Sequence, residues 1–242
     1  MKRWTLLSAV LAVCCSAMGL CAEEKKITYF GAIEYLTYSD AFKEAEDAQN
    51  KLADSLESFP FISDVTTDKK TTAGAGVRIG ALIASPVKGL QFGGSLGYIL
   101  GPRFKGTVND VDSLMTPLSP PLSEKTQEKI ESNLWRLMAE SKYSVPLGEK
   151  FQARLGFAIG VANLKIKDTK TYENSEGFSE STSKSISTTK LTWEIGPAIA
   201  YVTKKVGVEL ALTYAQMPTA EDKHTFQQFK WNPFGIRLGV EF

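Results

Sequence analysis

The stretch that decides the fold is Phe234-Gly-Ile-Arg-Leu-Gly-Val-Glu-Phe242, at the end of the 242-residue chain. Phe234, Ile236, Leu238, Val240 and Phe242 are apolar, and Gly235, Arg237, Gly239 and Glu241 stand between them. A strict period of two makes an extended segment with one greasy face and one small or charged face. Nine or so residues of that kind are long enough to cross the apolar layer of a bilayer when tilted.

Seven more segments repeat the pattern. Residues 27–39 set Ile27, Tyr29, Ile33 and Tyr35 against Thr28, Ala32 and Glu34, and residues 75–85 set Val77, Ile79 and Ile83 against Arg78 and Gly80. Residues 90–100 are the most regular, with Leu90, Phe92, Leu96, Tyr98 and Leu100 opposite Gln91, Gly93, Ser95 and Gly97. Residues 133–145, 151–163, 190–202 and 206–215 follow suit, placing Arg136, Glu140, Lys142, Arg154, Glu194 and Glu209 on the face away from the apolar residues. Pro197 falls on an apolar-face position inside a strand, where a missing N–H predicts a local bulge. Short turns at 86–89, 146–150 and 203–205 alternate with long polar connections at about 40–74, 101–131, 164–189 and 216–228. Strict alternation puts every tight turn at one end. The expected fold is therefore all-β: an eight-stranded antiparallel up-and-down transmembrane β-barrel.

Aromatic residues support a membrane setting. Tyr29, Phe92, Tyr143, Phe151, Tyr201 and Phe242 lie near the short-turn end of their strands, and Tyr35, Tyr98, Trp135, Trp193, Tyr214 and Phe234 lie further along. The interval of six to ten residues corresponds to about 15–25 Å of height, which suits two interfacial belts. Residues 1–22 read as a secretory leader: Lys2 and Arg3, an apolar run to Val13, and small residues up to Ala22. The expected organisation is signal peptide 1–22 and barrel 23–242 with four long outer loops. All three cysteines (Cys14, Cys15, Cys21) fall in the leader, so the mature chain has no disulfide, thiolate nucleophile or sulfur metal site. Loss of Lys2 and Arg3 takes the formal charge from +1 to about −1, which gives no signature of nucleic-acid binding.

The inward charges fall at two heights. Glu34, Arg78, Arg136 and Glu194 form an upper level; Arg237, Glu140, Lys142, Arg154 and Glu209 form a lower one. Charges out of water must be paired, so opposite signs at one height predict salt bridges across the lumen. Eight strands enclose a space that side chains just fill. Many remaining inward positions are small, including Gly80, Gly93, Gly97, Gly156, Gly160 and Gly196. They either make room for the long charged side chains or leave a hydrated cavity. His224 is the single histidine, in the last long connection, and reads as a solvated loop residue with no catalytic partners in the sequence. No cofactor, metal or catalytic site is expected.

Among the connections, Phe42, Ala45, Leu52 and Leu56 have near-helical spacing and predict a short amphipathic helix over the mouth. Pro117, Pro120 and Pro121 predict irregular structure, and the Ser/Thr-rich segment 167–190 predicts a protruding hairpin. Lys69, Lys70, Arg103 and Lys105 are candidates to meet lipopolysaccharide phosphates at the rim.

The closing strand, with its terminal Phe242, and the whole alternating plan resemble the small eight-stranded outer-membrane β-barrel family (OmpA transmembrane domain, OmpX, OmpW). The resemblance implies a bacterial outer-membrane location, a charged interior, and Phe234, Ile236, Leu238, Val240 and Phe242 as a C-terminal assembly signal for the barrel assembly machinery. Expected partners are outer-membrane lipid, lipopolysaccharide and an unidentified surface ligand, without nucleic acid. Nothing follows the closing strand, so no cell-wall anchoring domain is expected. The expected role is a non-enzymatic structural or surface-interaction barrel with a plugged interior; the alternative is a narrow channel for ions or small solutes.

Overall fold

The computed structural model describes residues 27–37, 42–58, 62–112, 122–221 and 228–242. The leader 1–22, the prolines Pro117, Pro120 and Pro121, and His224 lie outside them. Eight strands form a closed antiparallel ring: β1 (Ile27–Leu36), β3 (Gly74–Ala84), β4 (Leu90–Asp112), β5 (Leu122–Pro146), β6 (Phe151–Asn174), β7 (Ser179–Val202), β8 (Gly207–Gln216) and β11 (Phe234–Glu241). Consecutive ring strands pair with each other, and β1 pairs with β11 to close the circle. At the seam Tyr29 and Phe242 exchange both backbone hydrogen bonds, each at 2.9 Å. A closed ring leaves no unpaired edge, which is what a strand protein needs to sit in lipid.

The outward faces of these strands expose Ile33, Val77, Ile79, Leu96, Leu155, Leu210, Leu238 and many others. A continuous apolar band of that size is incompatible with water and fits hydrocarbon. Rings pair along it, as in Phe151–Tyr201 at 5.3 Å near the short turns and Tyr214–Phe234 at 5.0 Å near the other end. In the β3–β4 turn, Gly89 has φ +82 and a Cβ there would stand 2.4 Å from the Ser144 carbonyl oxygen, so glycine is required on both counts.

The long connections are more ordered than the sequence suggests. Connection 101–131 largely continues its strands, and the expected hairpin at 167–190 is built as an extension of β6 and β7: β4 to β7 run 23, 25, 24 and 24 residues, whereas β8, β11 and β1 run 10, 8 and 10. The first connection also holds a strand, β2 (Ile62–Thr72), which pairs with β4 above β3, and the last holds the short antiparallel pair β9 (Ala220–Glu221) and β10 (Gln228–Phe229). The wall is therefore tall on one side and short on the other. A register shift between Leu100 and Arg103 turns Phe104 and Val108 inward and Lys105 outward, so the pattern inverts as the wall leaves the apolar band. Alternation read as a single phase misses that inversion in β4, whereas β5, β6 and β7 keep their phase into the extensions.

Helix α1 (Lys43–Glu57) lies against β2 and β4. Its buried face is Ala45, Gln49 and Ala53, with Phe42 buried just before it, while Leu52 is 38 % exposed. Of the expected face, Phe42 and Ala45 are buried, Leu56 is half-buried and Leu52 turns outward. Ala45 and Ala53 let the helix approach the strands closely, and Gln49 packs over Gly106, where any Cβ would collide with it. At Pro197 the expected bulge is absent. Pairing of β7 with β8 stops after Ile195–Tyr214 and resumes at Ala198–Ala211 in the same register. The missing N–H opens a gap without inserting a residue.

Candidate functional site

The lumen is the candidate site. Inward positions of seven strands bring five cations and five carboxylates into one connected network: Arg78, Arg136, Lys142, Arg154 and Arg237 against Glu34, Glu140, Glu194, Glu209 and Glu241. The formal charges cancel within it. Arg78 reaches three carboxylates at once, with Nε 2.8 Å from Glu34, Nη1 3.2 Å from Glu140 and Nη2 2.6 Å from Glu194. Arg136 donates to Glu194 at 2.8 Å and to the other oxygen of Glu34. Nearer the short turns, Lys142 and Arg154 each bridge Glu209 and Glu241 at 2.7–2.8 Å. Arg237 links the two groups, 2.8 Å from Glu194 and 3.5 Å from Glu209.

This arrangement differs from two separate levels. Glu140 extends to Arg78, and Arg237 spans the interval, so the network is continuous. Long side chains blur heights assigned from strand position alone. Glu241 is an essential member absent from the sequence-based charged levels, although its alternation with Val240 and Phe242 marks it as inward. Gln152 is another, accepting from Arg154 Nε and Nη2 at 3.2 and 3.0 Å. Two of the small inward residues are explained directly. A Cβ at Gly97 would stand 3.1 Å from Arg136 Nε, and one at Gly80 would stand 2.6 Å from the Phe30 ring, over which Lys142 Nζ lies at 5.7 Å.

Above the charges, toward the long-strand end, the lumen changes character. Leu36, Ile99, Leu134, Ala162 and Leu164 point inward and pack with Phe42, Phe104, Phe229, Met217 and Trp231. Trp231 is 0 % exposed and donates its indole N–H to the Thr37 carbonyl at 2.7 Å. Phe42 stacks on Phe104 at 5.7 Å and meets Phe229 edge-on at 5.4 Å, bringing the helix-bearing segment down onto this core. Sequence reasoning missed the apolar layer. Its signal was present where both faces of a strand turn apolar together, as at Tyr35-Leu36, Ile99-Leu100 and Leu134-Trp135. Below the charges, a cavity of ≈ 350 Å³ at the short-turn end is bordered by Thr28, Gln91, Ser144, Gln152, Arg154 and Glu241.

On the outer wall the four rim cations separate. Lys69 hydrogen-bonds Asn50 of the helix, whereas Lys70, Arg103 and Lys105 point outward. In the same extension a hydrogen bond to Glu124 stabilises the neutral Tyr172 phenol and pushes its pKa up to about 12. Among the described residues no cluster of His, Cys, Asp or Glu could hold a metal ion.

No family model matches the chain, and no curated protein matches it. Solved barrels are similar in outline. The N-terminal β-barrel domain of Pseudomonas aeruginosa OprF has a TM-score of 0.37 at 12% identity over 90% of this chain and 98% of that one. Ail of Yersinia pestis, solved with the heparin analogue sucrose octasulfate, scores 0.32 at 10% identity over 90% and 97%. The Escherichia coli outer membrane protease OmpT scores 0.23 at 10% identity over 90% and 96%. At such scores neither activity nor ligand passes from these proteins to this chain. The class rests on the chain's own geometry: an eight-stranded antiparallel up-and-down membrane barrel.

Proposed function

We propose that this chain is a non-enzymatic barrel of the bacterial outer membrane, closed to solute flow, with a structural and surface-display role. The observation that carries the reading is the filled lumen: a charge-balanced network of ten side chains lies beneath an apolar core centred on Trp231. An ion would have to break the first and then enter the second, where apolar side chains replace most of its water. The tall β4–β7 wall and the helix above it then provide the surface that partners meet. Delivery would use the 1–22 leader, and the Phe234–Phe242 strand would be the element handed to the assembly machinery. The refolded mature chain in a planar bilayer is expected to be silent under applied voltage. Stable unitary openings from inserted, folded protein would defeat the reading. They would favour a narrow channel instead, for which the ≈ 350 Å³ cavity at the short-turn end is the supporting observation.

A further inference from the structure

Strand register stacks like charges on the outer wall. Lys70 of β2 lies directly opposite Lys105 of β4, and Lys105 directly opposite Lys129 of β5. Directly opposite side chains on neighbouring strands start about 5 Å apart, and like charges so placed repel. The next row toward the membrane runs Arg103, Glu131, Lys167, and the one below it runs Leu100, Asn133, Lys165. These three outward rows carry six cations and one carboxylate. Glu131 is shared between Lys129 at 3.1 Å and Arg103 at 4.0 Å. Among the described residues, Lys70 and Lys105 have no carboxylate partner. A wall that can invert its pattern and fill other outward positions with serine and threonine, as β7 does at Ser183 and Ser185, has no need of this repulsion unless an external anion relieves it.

Height identifies the anion. The rows sit on the lipid-facing side, directly above the exposed Tyr98 and Trp135. From Asn133 to Lys129 the strand climbs four residues, about 10 Å of height at the usual tilt. The polar layer of a phospholipid leaflet is only about 5–7 Å deep. Phosphates at the lysine row therefore belong to a taller headgroup.

We propose that Lys70, Lys105 and Lys129, with Arg103, form a docking surface for the sugar-borne phosphate groups of lipopolysaccharide in the outer leaflet. The proposal rests on the outer-membrane reading above and adds the partner. Multiple lysines facing several fixed phosphates give an attraction that is strong at low salt and falls as salt rises.

The test uses the mature chain folded in neutral detergent micelles, its fold verified by heat-modifiable gel migration, and titrated with lipopolysaccharide. Dephosphorylated lipopolysaccharide should bind at least about tenfold more weakly. The variant Lys70→Gln/Lys105→Gln/Lys129→Gln should lose a similar factor for the phosphorylated form while binding the dephosphorylated form unchanged. Equal binding of both forms, or a triple variant indistinguishable from wild type, would overturn the docking surface. Competition by millimolar inorganic phosphate, or equal binding to phosphatidylglycerol micelles, would overturn the assignment to lipopolysaccharide. Failure of the chain to insert into any bilayer would remove the membrane reading and this proposal with it; insertion without discrimination would remove only the proposal.

Discussion

Glu194 is the residue on which the interior turns, because its two oxygens serve Arg78, Arg136 and Arg237. Each of those guanidiniums is buried, so a partner lost there leaves positive charge with little water to solvate it. Glu194→Gln is expected to lower the unfolding free energy in urea by about 3–5 kcal/mol. Glu131→Gln at the solvated rim should cost under about 1 kcal/mol, since its pairs with Arg103 and Lys129 are exposed. Matching midpoints for the two variants would mean the network contributes nothing beyond its surface counterpart. Tyr172 offers a second residue-scale check. Its pKa is raised from 10.0 to about 12, so the hydrogen bond to Glu124 is fully stabilising below pH 10 and is lost as pH rises through 12. An absorbance titration should show a tyrosinate component near pH 12 that vanishes in Tyr172→Phe.

At the scale of elements, Pro197 separates sequence pattern from hydrogen-bond pattern. It keeps its outward place and its pairing with Leu155 of β6, yet the ladder to β8 is interrupted beside it. The interruption borders an apolar groove of ≈ 590 Å³ on the lipid face that includes Leu155, Ile195, Leu212 and Tyr214. Pro197→Val should restore a ladder bond and raise stability by about 1 kcal/mol. Amide exchange at the facing β8 residues should slow in parallel; unchanged exchange would place the weakness elsewhere. Helix α1 shows how an element can be legible while its face is not. Its existence and the burial of Ala45 followed from spacing, but the choice of Gln49 and Ala53 over Leu52 depended on the strand surface beneath, where Gly106 allows close approach.

For the whole molecule, the notable property is two seals of opposite chemistry in series. The charged network is held by ion pairs and hydrogen bonds, and the apolar core chiefly by contact. They fail for different reasons and so back each other up. Glu34→Ala alone and Trp231→Ala alone are each expected to leave the barrel silent in a planar bilayer, with Trp231→Ala costing about 3–5 kcal/mol of stability. The double variant should pass ions. A silent double variant would mean that the remaining network closes the lumen unaided.

By itself the sequence determined the ring of eight strands, the lipid-facing side of each, the end that carries the short turns, and nearly all of the inward charges. These depend on a period of two, which one strand displays without reference to its neighbours. Only the tertiary structure decided how the charges connect, because Arg78, Arg136 and Arg237 reach across the lumen to carboxylates on strands far away in sequence. The apolar core arises the same way: Leu36, Ile99, Leu134 and Trp231 become a seal only when four parts of the chain converge. The lysine row was partly legible, since Lys70 and Lys105 stood out as rim cations, but Lys129 joins them only through register, a property of pairs of strands.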